Sequence, residues 1–213
     1  MSSTKKSSKS MIMKIGIFLG MILLVVCSVT CGGMEENKQS NPFVLGDNDY
    51  ALSCDPTGGD AEALACQLAY LTNRERQAHP EESDMAEPLD WDDELAETAH
   101  RYSAQMCEQG FFDHKDPQGH GIEIRLSEAG IIYIKAGENL ARGTNMEPDK
   151  AMSMFMNESP CQLNHRGNIL DNDFTHIGVG VVFCDSKTIY TQLFATFDMD
   201  AIRDDVNEYC SSL

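Results

Sequence analysis

Three stretches hold side chains of types that could do chemistry: "FFDH", ending in His114; "GENLA", with Glu138; and "NHRGNIL", with His165. An imidazole can ligate a metal or carry a proton near neutral pH. A carboxylate beside it can fix its tautomer or act as a base. Singly, each residue has an ordinary reading: a loop histidine, or a carboxylate at the end of an element bonding to nearby N–H groups. His79, His100, His120 and His176 have the same reading, so only convergence in space gives the three stretches a meaning. Other chemistries are poorly served. There is no nucleophile elbow for a Ser-His-Asp arrangement. Ser159 lies six residues before His165, but in "SP" at a helix end its hydroxyl suits backbone bonding. No HExxH helix is present, and "GVG" lies inside a strand pattern and opens no phosphate-binding helix.

The elements that must position these residues carry their own signals. Asp60 can cap a helix in which Leu64, Leu68 and Leu71 recur at helical spacing, with "TNRER" as its polar end. "PEESDMAEP" marks a loop. Asp90 can cap a second helix running through Cys107, with Leu95, Ala99, Tyr102 and Met106 on one face. Gly110 suits the position just past its end. "GIEIRLSEAG" predicts a short third helix ended by Gly130, and "IIYIK" a short strand. Pro148 fits the first turn of a fourth helix, with Ala151, Met154, Phe155 and Glu158 on one side and Pro160 as its stop. "IGVGVVF" alternates, with Ile177, Val179, Val181 and Phe183 on one face. "TIYTQLFATF" follows the "CDSK" turn and predicts a hairpin. The glycines of "IGVGV" suggest a second backbone lying close. Helices first and a hairpin last is an α+β pattern, without the alternation of a doubly wound sheet.

The chain has 213 residues and a formal charge of −18. Its start carries Lys5, Lys6, Lys9 and Lys14 with no acid, and an apolar run from Ile15 to Val29 follows. That is the order of an export signal, and the run is short for a full span of about 20 residues. The signal is expected over residues 1–30. Without it, 12 basic side chains face 34 acidic ones, a charge of −22 that repels a phosphate backbone and excludes nucleic acid as a partner. Residues 31–59 are polar and read as a flexible linker, with Phe43, Val44 and Leu45 as its apolar exception. Six cysteines follow position 31: Cys54, Cys66, Cys107, Cys161, Cys184 and Cys210. An even number in an exported chain points to disulfides, and no close pair has metal-ligand spacing.

"CSVTCGG" resembles a bacterial lipoprotein signal, with Cys31 as the acylated residue in preference to Cys27. From about Leu68 to Phe197 the chain resembles the CAP superfamily (SCP/TAPS, pathogenesis-related-1-like). The resemblance is carried in order by "LTNRERQA", "PLDWDDELAETAHRYSAQM", "GFFDHKDPQGHG", "IRLSEAG", "AGENLARG", "AMSMFMNESP", "NHRGNIL", "FTHIGVGVVF" and "TIYTQLFATF". It implies a CAP domain over residues 60–213 and a three-layer α–β–α sandwich around a small, largely antiparallel sheet.

The same resemblance implies a cleft with two His and two Glu: His114, Glu138, His165 and, more loosely, Glu158, which follows Phe155 by three where the family carries Trp. "CQL" looks inserted before "NHR", and a Cys161–Cys184 bridge would tie that loop to the hairpin. His114 and His165 would hold zinc or another divalent cation, with Glu138 and Glu158 bonding the other ring nitrogens. The function implied is an exported, lipid-anchored envelope protein, or a secreted one, that binds a lipid, sterol or peptide ligand and reaches the membrane through its N-terminal anchor. The alternative is a metal-dependent hydrolase with Glu138 or Glu158 as its base.

Overall fold

The computed structural model describes residues 52–198 and 207–213; the leader, Cys31 and the run 43–45 lie outside the described residues. Ten elements follow one another: α1 (Ala61–Ala78), β1 (Asp90–Trp91), α2 (Asp93–Gln109), α3 (Ile122–Glu128), β2 (Lys135–Thr144), α4 (Pro148–Met156), α5 (His165–Leu170), β3 (His176–Cys184), β4 (Lys187–Thr196) and α6 (Glu208–Ser211). The strands form one sheet in the order β1-β3-β4-β2. β1 is parallel to β3, and the other pairings are antiparallel, so the sheet is mixed and largely antiparallel.

Side-chain alternation sends the sheet's two faces into two helical layers. Ile177, Val179, Val181, Tyr190 and Phe194 pack with Leu64 and Leu68 of α1 and Phe155 of α4. Leu193 and Ala195 pack with Leu95 and Ala99 of α2 and Leu126 of α3. This is the expected α+β sandwich. α2 lies directly on the backbone of β3: a Cβ on Gly180 would stand 1.9 Å from the His100 nitrogen, and one on Gly178 2.2 Å from the Ala96 nitrogen. The close approach expected from "IGVGV" is therefore a helix seated on the strand.

Asp60 caps α1, its carboxylate accepting from the Ala63 nitrogen at 2.9 Å. Gly110 closes α2 in the left-handed region at φ 72°, and Pro148 opens α4. The cap of α2 is Asp92 and not Asp90: Asp92 Oδ1 accepts from the Leu95 nitrogen at 2.8 Å. Asp90 is claimed by the sheet, donating its N–H to the Thr175 carbonyl at 2.9 Å. "IIYIK" forms no strand before its last residue, Lys135, which opens β2. The Ile131 N–H turns back to the Leu126 carbonyl and closes α3, while Ile132 is 87% exposed. The third long strand instead runs through "KAGENLARGT", ten residues paired with Lys187–Thr196, where neighbours on both faces outweigh weak β propensity. Phe183 is exposed although its alternating neighbours are buried, and Met154 is exposed on α4. α4 stops at Met156, so Glu158 lies past its end rather than on its side. α5 was not legible as a helix; Asn164 caps it, accepting from the Gly167 nitrogen at 2.8 Å.

The six described cysteines form three disulfides: Cys54–Cys66, Cys107–Cys184 and Cys161–Cys210. The expected Cys161–Cys184 bridge is replaced because β3 ends beside the last turn of α2, which carries Cys107. Cys161 sits instead over Glu82, whose carboxylate accepts its N–H at 3.3 Å, on the side where α6 brings Cys210. Within the stretch read as linker, residues 54–58 are fastened to α1 by the first disulfide and by Gln67 Nε2, which donates to the Pro56 and Gly58 carbonyls.

Candidate functional site

β2 is an outer strand, and the two helical layers meet around it. Glu138 stands opposite Leu193 and faces the α2–α3 layer; Asn139 stands opposite Gln192 and faces the α1–α5 layer. The loop after α2 brings His114 to one side of β2, and α5 brings His165 to the other.

The four residues expected to converge do so, as two His–Glu pairs. His114 Nδ1–H donates to Glu138 Oε1 at 2.8 Å, and His165 Nδ1–H donates to Glu158 Oε1 at 2.7 Å. A carboxylate can only accept, so a neutral ring in either pair carries its proton on Nδ1 and leaves Nε2 as a lone pair. The two ring centroids are 6.4 Å apart, with 31° between the planes. His114 is more open, at 57% side-chain exposure against 31% for His165. The other named histidines lie elsewhere: His79 with Glu75, His120 with Asp116, His100 on the Val181 carbonyl and His176 against Phe197.

Each carboxylate spends its second oxygen as well. Glu158 Oε2 accepts the backbone N–H of His165 at 2.8 Å, satisfying the first orphan donor of α5. Glu138 Oε2 accepts from Arg125 Nη2. Glu138 is 8% exposed, so a charged partner is what makes its burial tolerable. Phe155 packs its ring 5.0 Å from that of His165. The Glu138 contact raises the pKa of His114 above its ordinary 6.5, against partial burial, with Asp113 adding to the rise and Arg125 opposing it.

A buried polar chain ties the two sides together. Asn139 Nδ2 donates to the His165 carbonyl and to Gln192 Oε1, both at 3.1 Å. Asn139 Oδ1 accepts from Asn168 Nδ2 at 2.9 Å, and Gln192 Nε2 donates to Thr72 Oγ1 at 2.8 Å. Asn139 thus bonds backbone, as Asn in "GENLA" suggests, but 26 residues away and not in a local turn. Gly167 keeps the α5 start closed: a Cβ there would stand 1.9 Å from the Gln162 carbonyl oxygen. Ahead of His114, burial pushes the Tyr102 phenol up to about 12, and its hydroxyl donates to the Asp113 carbonyl at 2.6 Å. Arg125, Asn168 and Gln192 were not singled out from sequence. The one clue was the demand itself: a buried Glu at position 138 needs a cation, and "IRLSEAG" contains one.

Two imidazole nitrogens are the donor set a divalent cation would find. Among the described residues, no group of three or more His, Cys, Asp and Glu side chains is placed to hold a metal ion. The chemistry still fits a weakly held cation that keeps water on its remaining positions. In the neutral form each ring leaves Nε2 as the nitrogen available to a cation, and the ring centroids stand 6.4 Å apart. Glu138 and Glu158 outweigh the one charge of Arg125. A cleft of about 460 Å³ lies apart from these residues, lined by Trp91, His100 and Val179–Val181 among others.

The model of the cysteine-rich secretory protein family, CAP, matches residues 69–194. The uncharacterized protein YkwD of Bacillus subtilis is 38% identical over 128 residues, 60% of this chain and 45% of that protein. The uncharacterized membrane protein YlbC of the same organism is 33% identical over 128 residues, 60% of this chain and 33% of that one. The matched region therefore spans less than half the length of either relative. Among solved structures, an extracellular protein containing an SCP domain from Bacillus anthracis is 29% identical with a TM-score of 0.54, covering 64% of this chain and 41% of that chain. An outer surface protein of Borrelia burgdorferi shares the fold at 21% identity and a TM-score of 0.52, covering 62% of this chain and 90% of that chain.

Proposed function

This chain belongs to the cysteine-rich secretory protein family, CAP, and on that basis we propose that it is an exported, envelope-anchored binding module. Its His114–His165 site takes a divalent cation together with a lipid or other small ligand, without turnover. The observation that carries this reading is the engagement of both oxygens of Glu138 and both of Glu158. A metal-dependent hydrolase needs a carboxylate free to take a proton from water. Here each carboxylate already accepts from its imidazole and from a second donor, so the pair is built to hold rings in place. A cation held by Nε2 of His114 and His165 would supply a fixed positive charge and Lewis acidity for an oxygen-bearing headgroup. Leu163, fully exposed two residues before His165, offers an apolar side chain nearby.

Export is supported by the basic leader and by the three disulfides, which persist in oxidising compartments. Anchoring through Cys31 is supported by "CSVTCGG". The reading is tested by offering the zinc- or cobalt-loaded protein casein, peptidoglycan and ester substrates, and by lipid pull-down in parallel. Lipid retained without turnover is expected. Turnover abolished by both His114→Ala and Glu138→Ala would replace this reading with a hydrolase. For the anchor, palmitate labelling should vanish in Cys31→Ser and survive in Cys27→Ser; the reverse pattern would move the anchor to Cys27.

A further inference from the structure

The two His–Glu pairs are anchored by different means, and the difference points to a residue outside the four. Glu158 is fixed by the chain itself, through the His165 N–H that its second oxygen accepts. Glu138 has no such backbone donor and relies on Arg125 Nη2. Arg125 also donates through Nη1 to the His114 carbonyl at 3.2 Å and to the His120 carbonyl at 3.4 Å. Its guanidinium lies 3.4 Å above the centre of the Tyr102 ring, and its side chain is 9% exposed. One planar cation therefore grips the carboxylate that holds the His114 ring and the main chain that carries it. Lys could not do this, because a single ammonium lacks the fork.

We propose that Arg125 is the positioning residue of the His114–Glu138 half of the site. It aims Glu138 Oε1 at Nδ1, locks the neutral ring in the Nδ1–H tautomer, and so keeps the Nε2 lone pair available to a ligand. The cation-binding use of that lone pair rests on the function proposed above; the tautomer lock does not.

The test is the ring ¹⁵N spectrum of His114 above its titration range, with cobalt affinity measured beside it. The unaltered protein should show the Nδ1–H form alone. Arg125→Met should give a mixture with substantial Nε2–H and leave the His165 ring unchanged. Its cobalt affinity should fall by about ten-fold or more, the usual effect of losing an outer partner of a ligating histidine. Should Arg125→Met not fold, Arg125→Gln carries the same test, since it keeps a donor for the carbonyls but no charge for the carboxylate. A folded variant with the unaltered His114 pattern would overturn the proposal, as would Nε2–H in the unaltered protein. A tautomer change in a protein that binds no cobalt would sustain this role for Arg125 and remove the cation reading.

Discussion

Asn139 Nδ2 donates to the main-chain carbonyl of His165 across 3.1 Å, joining the strand that carries Glu138 to the helix that carries the second histidine. The amide is fully buried and bonds on both its ends. Asn139→Leu should therefore strand the buried Gln192 Oε1, at a cost of about 1–3 kcal/mol, and remove the tie to the His165 carbonyl. Denaturant midpoints would register the loss, and cobalt affinity should drop with it, because α5 no longer has its tie to β2.

Cation binding should weaken as pH falls, and should begin to do so above the ordinary histidine value. The Glu138 contact raises the pKa of His114 above 6.5, and a protonated ring has no lone pair to give. Without metal the sign reverses. The His114⁺–Glu138 contact adds stability that is complete below the unfolded value and disappears as pH rises through the raised folded one. Thermal melts of the metal-free protein and of His114→Ala should differ most at acidic pH and converge toward alkaline pH. A gap that widens with rising pH would contradict this.

Arg76 holds the base of α5 and the entry to β3. It is 1% exposed and donates to the carbonyls of Glu87, Ile169, Asp171 and Phe174. Burial pulls its pKa down to about 10, so it remains charged at neutral pH. Arg76→Met fills similar space but leaves four carbonyls without this donor. A loss of about 3 kcal/mol or more is expected, taking a conservative share of the 1–3 kcal/mol per stranded group. Equilibrium urea unfolding measures it directly.

The Cys161–Cys210 bridge closes a separation of 49 residues and anchors the loop that presents Glu158. Chain entropy assigns such a crosslink about 4 kcal/mol at most. The double change to Ser should lower stability by about 2–4 kcal/mol. It should also weaken cobalt binding more than the same change at Cys54–Cys66, which lies by the N-terminal end of α1. Equal effects on cobalt would show that the Glu158 loop does not depend on its tether.

Much of the fold was readable because local signals and burial agree. Asp60, Gly110 and Pro148 mark helix ends by their own chemistry, and alternation marks β3 and β4. The failures have physical causes. "LDWDDE" offers three aspartates as caps, and only the pairing of Asp90 with β3 selects Asp92. "IIYIK" has the composition of a strand, but the Ile131 N–H is taken by the end of α3. The strand through "KAGENLARGT" is made by its partners, which sequence periodicity does not register. At the site, the four side chains were gathered by the family resemblance carried in the motif order; their types alone had ordinary readings. Arg125 was not, because its role arises from packing against Tyr102 and from the burial of Glu138, neither of which spacing encodes.

The central claim is that one cation bridges the two rings. Calorimetric zinc titration of the folded protein, of His114→Ala and of His165→Ala tests it most directly. One site per molecule is expected in the unaltered protein, with affinity lost by about ten-fold or more in each variant. Zinc binding that persists undiminished in His165→Ala would contradict it.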